Sequence, residues 1–187
     1  FGARLEGLIA GPGAPRRVRA LATGGGELGC DAVVLAPGHS ARDTWRALER
    51  DGAEIEAKPF QLGVRIEHPQ ELIDAARHGP AAAGGLLSPA YYALASRSGG
   101  GCGAAHSFCM CPGGQIVASV HRPGLLCTNG MSNSRHSSPW ANAAVVVTVG
   151  QRELGTDRWA GVAFQESLER AAFTAGGGDY TAPAQRA

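Results

Sequence analysis

The stretch that decides the fold is residues 32–44, which reads AVVLAPGHSARDT. Its first five residues form an unbroken apolar run that contains two valines, as is typical of a strand covered on both faces. The run stops at a Pro-Gly turn. Ser40 then precedes Asp43 by three residues, which is the spacing of a capping box, so we predict a helix over residues 41–50. The sequence therefore predicts a buried strand, a tight turn and a capped helix in succession.

The turn in this stretch has two interpretations. Gly38 follows the predicted strand and has no side chain, so a ligand could approach its backbone closely. A helix that begins at Ser40 would present free N–H groups and a positive dipole end to a phosphate or dinucleotide. An ordinary capped helix, in which Ser40 accepts the N–H of Asp43, explains the same residues. The local sequence leaves both interpretations open.

Alternating apolar and polar residues predict two strands near the start of the chain, over residues 3–9 and 17–22. Glycine-rich turns at 11–13 and 24–26 bound these strands. We therefore predict a short antiparallel meander before the buried strand at 32–36.

Beyond the first helix, the chain is predicted to mix strands and helices. A strand over 59–67 leads into a helix over 70–78, and an amphipathic helix spans 159–174. Shorter stretches predict strands at 90–96, 104–110, 115–120, 124–128 and 145–147. The predicted fold class is α+β or α/β.

The composition argues against several classes of protein. Seventeen basic and 16 acidic residues give a net charge of +1, so no charge excess indicates a nucleic acid or an anionic membrane as partner. With 44% hydrophobic and 18% charged residues, the chain is too apolar to be disordered. No segment reads as a signal peptide or approaches the roughly 18 apolar residues of a membrane span. We expect a globular, cytoplasmic protein without nucleic-acid or membrane partners.

The five cysteines are odd in number and irregularly spaced, which predicts reduced thiols rather than disulfides. Cys109 and Cys111 stand in a Cys-x-Cys before a Pro-Gly-Gly turn. A lone Cys-x-Cys lacks the second ligand pair of a structural zinc site, so we expect no metal. In a regular strand the two side chains would point to the same face. They either pack as inert thiols or face a redox cofactor or substrate.

Three further polar positions are candidates for a site. Asn129 precedes Gly130 in a dipeptide typical of hairpin turns, although such a run can also line a pocket. Lys58 is the only lysine, which suggests that a compact ammonium is needed there. Arg65 lies on the predicted strand over 59–67 and could also form a plain surface ion pair with Glu67.

Taken in order, five blocks of sequence resemble the bacterial FAD-dependent dehydrogenase-like proteins, which are flavoproteins of the two-domain glutathione-reductase type. The blocks are Gly38-His39-Ser40-Ala41-Arg42-Asp43-Thr44, Lys58-Pro59-Phe60, Arg65-Ile66-Glu67-His68-Pro69-Gln70, Phe108-Cys109-Met110-Cys111-Pro112-Gly113-Gly114 and Asn129-Gly130-Met131-Ser132. The resemblance extends along almost the whole chain and implies FAD as the cofactor.

The resemblance also implies a domain organisation. Residues 1–46 would be the C-terminal part of an FAD-binding segment, with the meander and a returning strand at 32–36. Residues 47–187 would form most of an inserted mixed α+β substrate or cap domain. Such flavoproteins hold the pyrophosphate in a Gly-x-Gly-x-x-Gly loop between a strand and a helix, and no such element is found in this sequence. We therefore expect a central fragment of a larger protein, inactive alone.

The activity implied by the resemblance is hydride transfer between flavin and an unidentified small-molecule substrate. Arg65 would clamp an acidic substrate. The candidate catalytic residues are Cys109, Cys111, Lys58 and Asn129. The candidate FAD contacts are Gly38, His39, Ser40, Ala41, Arg42 and Asp43. The alternative is a non-catalytic structural or ligand-binding module whose cysteines belong to the core.

Overall fold

A three-stranded meander opens the chain in the computed structural model, which describes residues 2–13, 15–97 and 103–186. β1 (Leu5–Ala10) pairs antiparallel with β2 (Val18–Thr23), and β2 pairs with β3 (Gly26–Gly29). The predicted meander is confirmed. Gly24, Gly26 and Gly29 have the Gly-x-Gly-x-x-Gly spacing, but they lie at the β2–β3 hairpin rather than before a helix.

The helix α1 (Arg42–Arg50) packs against β1. The carboxylate of Asp51, just past its end, accepts the N–H of Leu8 at 2.7 Å, and Arg50 Nη2 donates to the carbonyl of Glu6 at 3.0 Å. Ala20 and Leu48 are buried in this unit. Polar contacts at the C-terminal end of α1 therefore fix the helix to the meander.

The predicted buried strand at 32–36 is wrong. The structure assigns no strand between β3 and α1, and Val34 is 93% exposed. An apolar run becomes a covered strand only where other strands supply backbone partners, and β1, β2 and β3 pair only with one another. The returning strand of the expected fold is therefore not formed.

The predicted capping box at Ser40 is also wrong. The helix begins at Arg42 after Ala41, and no side chain caps it. Ser40 instead accepts the N–H of Arg42 through its main-chain carbonyl at 2.9 Å. Because the helix starts two residues beyond Ser40, the Ser40 hydroxyl is not at the capping position.

The chain divides into two compact units, residues 1–56 and residues 57–187. The boundary expected after residue 46 would fall inside α1, and the observed division lies ten residues later. The assignment of the two parts to an FAD-binding segment and a substrate domain stays a prediction.

The second unit contains an antiparallel sheet of four strands in the order β4-β9-β6-β5, and a separate pair of strands, β7 and β8. The strands are β4 (Phe60–Pro69), β5 (Ala95–Ser96), β6 (Ala105–Cys111), β7 (Gly114–Ser119), β8 (Cys127–Ser132) and β9 (Trp140–Val149). The helices are α2 (Gln70–His78), a 3-10 helix (Gly79–Gly84), α3 (Gln151–Leu154) and α4 (Ala160–Ala175).

The central strand of this sheet is β9, which pairs with β4 along ten residues and with β6 on its other side. The β7–β8 pair contacts the sheet, and most of the buried core lies on β9 and just before β8. The buried hydrophobic residues described in this unit are Ala90, Leu125, Leu126, Ala141, Ala143, Val146 and Val149. The architecture is mixed α+β with several antiparallel sheets, as the predicted α+β class requires.

Most predicted elements of this unit are confirmed with small shifts. The helix predicted over 70–78 matches α2, and the helix predicted over 159–174 matches α4 within one residue at each end. The strand predicted at 90–96 shrinks to Ala95–Ser96, because Ala90 and Tyr92 are held by contacts with side chains of α2 and β4.

The hairpin turn predicted at Asn129–Gly130 is wrong, because both residues lie inside β8 and pair with Val117 and Ile116 of β7. None of the helices in the described ranges is long and apolar enough to cross a membrane.

Candidate functional site

Arg65 is at the centre of a cluster of polar groups between the four-stranded sheet and β8. Its Nε donates to Asn142 Oδ1 at 2.9 Å, and its Nη2 donates to the carbonyl of Cys109 at 2.8 Å. Nη2 also lies 3.7 Å from Cys111 Sγ. The register explains the grouping, because Arg65 pairs with Ala144 while Cys111 pairs with Asn142 two residues earlier on β9.

A β-bulge shapes the cysteine side of this cluster. The pairing of β6 with β9 is regular up to Phe108 and resumes only at Cys111, and Cys109 has a φ of +43°, in the left-handed region. Cys109 is exposed and Cys111 is half-buried. The expectation of a regular strand with both thiols on one face is therefore wrong. The reading of both cysteines as core residues is also wrong, because the bulge leaves Cys109 at the surface.

Gly130 of β8 covers the cluster from the other side. A Cβ atom at this position would lie 2.3 Å from both Arg65 Nη2 and Asn142 Oδ1, and 2.7 Å from Cys111 Sγ. A glycine inside a strand often marks a close approach of this kind. Gly130 therefore lets β8 close over the cluster.

The cluster is rich in hydrogen-bond donors and poor in negative charge. Arg65 is half-buried, yet it forms no ion pair with any carboxylate among the residues that the structure describes. Asn142 is fully buried. Because Arg65 Nε can only donate, the atom facing it must be Asn142 Oδ1, which leaves Nδ2 as two N–H donors. Nδ2 has no partner in the described ranges.

His68 of β4 and Tyr92, in the segment before β5, form a second polar pair. His68 Nε2 and Tyr92 Oη are 2.9 Å apart, and their rings are tilted with centroids 5.5 Å apart. Burial raises the pKa of Tyr92, and the positive charge of Arg65 acts in the opposite direction. His68 Nδ1 is buried without a partner in the described part of the chain. The Tyr92 phenol therefore stays protonated at neutral pH.

Gln70 supports the site from the start of α2. It is buried, its Oε1 accepts the N–H of Gly113 at 2.8 Å, and its Nε2 donates to Asp74 Oδ1 and to the carbonyl of Ala90. Asp74 Oδ1 also accepts the N–H of Ala90 at 2.7 Å. These bonds fix the turn after Cys111 and the segment that carries Tyr92, so Gln70 positions the site rather than contacting a ligand.

Two of the predicted catalytic residues lie outside the cluster. Lys58 is exposed and precedes β4, whose first residue is about 17 Å along the strand from Arg65. Arg65, and not Lys58, is the cation beside the cysteines. Asn129 is exposed next to Gly130, and its Oδ1 accepts the N–H of Gly130 at 2.8 Å. Among the predicted residues, the structure brings together Arg65, Cys109 and Cys111.

Four residues of this region are not among the site residues predicted from the sequence. Asn142 is a polar residue inside the apolar run of β9, and this was the available signal. Gln70 follows a proline at the start of a helix, which is a weaker signal. No local pattern singles out His68 and Tyr92, because they meet only through the tertiary fold.

The segment expected to contact FAD lies in the first unit and is mostly exposed. Gly38 has a φ of +76°, and a Cβ there would meet nothing within 4 Å, so its backbone leaves room for a ligand. His39 and Ser40 are exposed and Arg42 is buried. The open glycine is compatible with close approach of a cofactor.

The first turn of α1 is less suited to a phosphate. The N–H of Thr44 binds the Asp43 carboxylate and lowers the pKa of Asp43, and Arg4 pairs with the same carboxylate. An ionised carboxylate accepts hydrogen bonds from hydroxyl groups but repels phosphate oxygens. Asp43 therefore offers an acceptor for hydroxyl groups at this turn.

Comparison with known proteins gives two matches. The model of a family described as "FAD-dependent protein, C-terminal domain-like" matches residues 59–187. An uncharacterized protein of Clostridium beijerinckii is 40% identical over 186 residues, which are 99% of this chain and 34% of that relative. The chain therefore spans about a third of the length of this relative.

Proposed function

Since the chain belongs to the family of FAD-dependent proteins, C-terminal domain-like, we propose that it is part of a flavin-dependent oxidoreductase that exchanges a hydride with a small-molecule substrate. The family match over residues 59–187 is the observation that carries the proposal. FAD, when bound, supplies the chemistry of hydride transfer. The protein contributes binding, orientation, proton transfer and exclusion of water.

In this proposal the two units have different tasks. Residues around Gly38 and Asp43 contact the cofactor, with Asp43 accepting hydroxyl hydrogen bonds. The second unit binds the substrate, with Arg65 as the group that orients it. Support for these roles comes from the open backbone at Gly38 and from the guanidinium of Arg65, which has no carboxylate partner in the described ranges.

Proton transfer is assigned to Tyr92 and His68. Loss or gain of a hydride at carbon is commonly coupled to a proton on a neighbouring heteroatom, and a phenol that stays protonated can give one. The hydrogen bond between His68 Nε2 and Tyr92 Oη orients the phenol. In this proposal Tyr92 Oη is the atom that holds the proton, and His68 is a positioning residue.

The test is to purify the full-length protein and the Clostridium beijerinckii relative and to record their visible spectra. We expect a flavin spectrum, and mass spectrometry of the denatured supernatant should identify FAD. A colourless protein that acquires no flavin on incubation with FAD would contradict the proposal. That result would favour a ligand-binding module without redox chemistry, for which the donor groups around Arg65 would be the relevant observation.

A further inference from the structure

The positive charge of Arg65 has no carboxylate partner among the described residues of the second unit. A guanidinium removed from water normally faces a carboxylate, because the loss of hydration must be offset by an opposite charge. Arg65 is half-buried, but the groups that it contacts are the amide of Asn142, the carbonyl of Cys109 and the thiol of Cys111. All three are uncharged ligands of a charged group, so an anion would complete the arrangement.

The neighbouring amide fixes Arg65 from the inner side of the cluster. Asn142 is fully buried beneath Gly130, and its Oδ1 accepts the N–H of Arg65 Nε at 2.9 Å. A ligand therefore approaches Arg65 from the solvent side, where Nη2 donates to the carbonyl of Cys109.

The surroundings of Arg65 restrict the rest of the ligand. Phe108 and Arg65 both pair with Ala144, one on each side of β9, so the three side chains share a face of the sheet. Arg65 and Phe108 are therefore about 10 Å apart, with a small alanine between them. Phe108 is 54% exposed, and the hydrogen bond between Arg65 Nη2 and Cys109 lies at the solvent side. A flat apolar group would cover Ala144 and contact Phe108.

We infer that Arg65 and Phe108 form a binding site for a carboxylate attached to a flat, apolar group such as an aromatic ring. Arg65 binds the carboxylate, Asn142 holds the guanidinium through its Nε, and Phe108 contacts the ring. The inference deepens the proposed function by naming the substrate class. It can be tested separately, because binding of a carboxylate requires no turnover.

The experiment is calorimetric titration of the full-length protein with benzoate, and with benzamide as a neutral molecule of the same shape. We expect benzoate to bind and benzamide to bind at least about tenfold more weakly. Arg65→Gln should weaken benzoate binding by a similar factor. Arg77→Gln removes an exposed arginine at the end of α2 and should leave binding unchanged.

The most informative variant is Asn142→Asp. It places a carboxylate where Asn142 Oδ1 now lies, 2.9 Å from Arg65 Nε, so the protein would supply its own anion. We expect benzoate binding to fall about tenfold or more, while the urea midpoint stays at or above that of the wild type. Loss of binding with retained stability separates this effect from unfolding.

Phe108→Ala should weaken benzoate binding but leave the weaker binding of acetate unchanged. Failure of benzoate to bind the wild-type protein would overturn the inference, and so would equal affinities in the wild type, Arg65→Gln and Asn142→Asp. A flavin-free protein that binds benzoate through Arg65 would support the inference and contradict the proposed function. A flavin-bound protein that binds no benzoate would contradict the inference and support the proposed function.

Discussion

Two apolar runs of similar composition adopt different structures in this protein. Residues 32–36 read AVVLA and remain irregular, with Val34 93% exposed, whereas residues 143–147 read AAVVV and lie in β9, where Val146 is 6% exposed. The difference is in the neighbours, because β9 has β4 on one side and β6 on the other. An apolar run gives the capacity to form a buried strand, and its hydrogen-bonding partners decide whether the strand forms.

The largest expected effect on stability comes from a substitution in β8, the strand that packs over β9. Gly130→Ala would place a Cβ within 2.3 Å of Arg65 Nη2 and Asn142 Oδ1, and Asn142 is fully buried and cannot move outward. We expect a loss of about 3 kcal/mol in the free energy of unfolding, measured by urea denaturation.

Gly84→Ala is the matched control for this variant. Gly84 ends the 3-10 helix, and a Cβ there would meet nothing within 4 Å. Its free energy of unfolding should change by less than about 0.5 kcal/mol. Equal stability of the two variants would mean that β8 does not close over β9 as described.

Replacing one valine by alanine in each apolar run tests whether the two runs differ in burial. Val146→Ala removes two buried methyl groups next to β4 and β6, and we expect it to lower the free energy of unfolding by about 2 kcal/mol. Val34→Ala removes the same atoms from an exposed side chain. This substitution should change the free energy of unfolding by less than about 0.5 kcal/mol. A comparable loss in Val34→Ala would show that residues 32–36 are covered in solution.

These contrasts explain how much of the fold could be predicted from the sequence. The helix α2 and the strand β4 were predicted closely, because their signals are local: a proline at the junction and hydrophobic periodicity on either side. The run at 32–36 and the Asn129–Gly130 pair carried equally strong local signals that tertiary context overrode. Gly130 is a glycine because β8 approaches Arg65 and Asn142 closely there. From the sequence alone, such a glycine cannot be distinguished from one in a turn.

The candidate site was predictable in part for the same reason. Arg65 and the two cysteines stood out by residue type. Asn142 meets Arg65 only through strand register, and Tyr92 meets His68 only through the tertiary fold. The bulge at Cys109 breaks the two-residue alternation on which the prediction of paired thiols depended. Pairing across a sheet is not encoded in the spacing along one strand.

The turn at Gly38, which follows the exposed run at residues 32–36, can be tested for a role in FAD binding. In the full-length protein, if it binds FAD as proposed, Gly38→Val should lower the ratio of FAD to protein at least about tenfold, because a side chain would fill the open space beside the backbone. Gly26→Val introduces similar strain at the β2–β3 turn, where φ is +111°, and should keep its flavin. Unchanged flavin content in Gly38→Val would restrict Gly38 to a role in the turn.

The smallest effect is expected at the bulge, where the regular pairing of β6 with β9 stops. Cys109 is exposed, whereas Cys111 is half-buried and its thiol contacts the carbonyl of Cys109 and Arg65. We therefore expect iodoacetamide to label Cys109 several-fold faster than Cys111, as measured by mass spectrometry of timed samples. Equal labelling rates in the wild-type protein would mean that the two thiols share one environment, as in a regular strand. That result would contradict the β-bulge at Cys109.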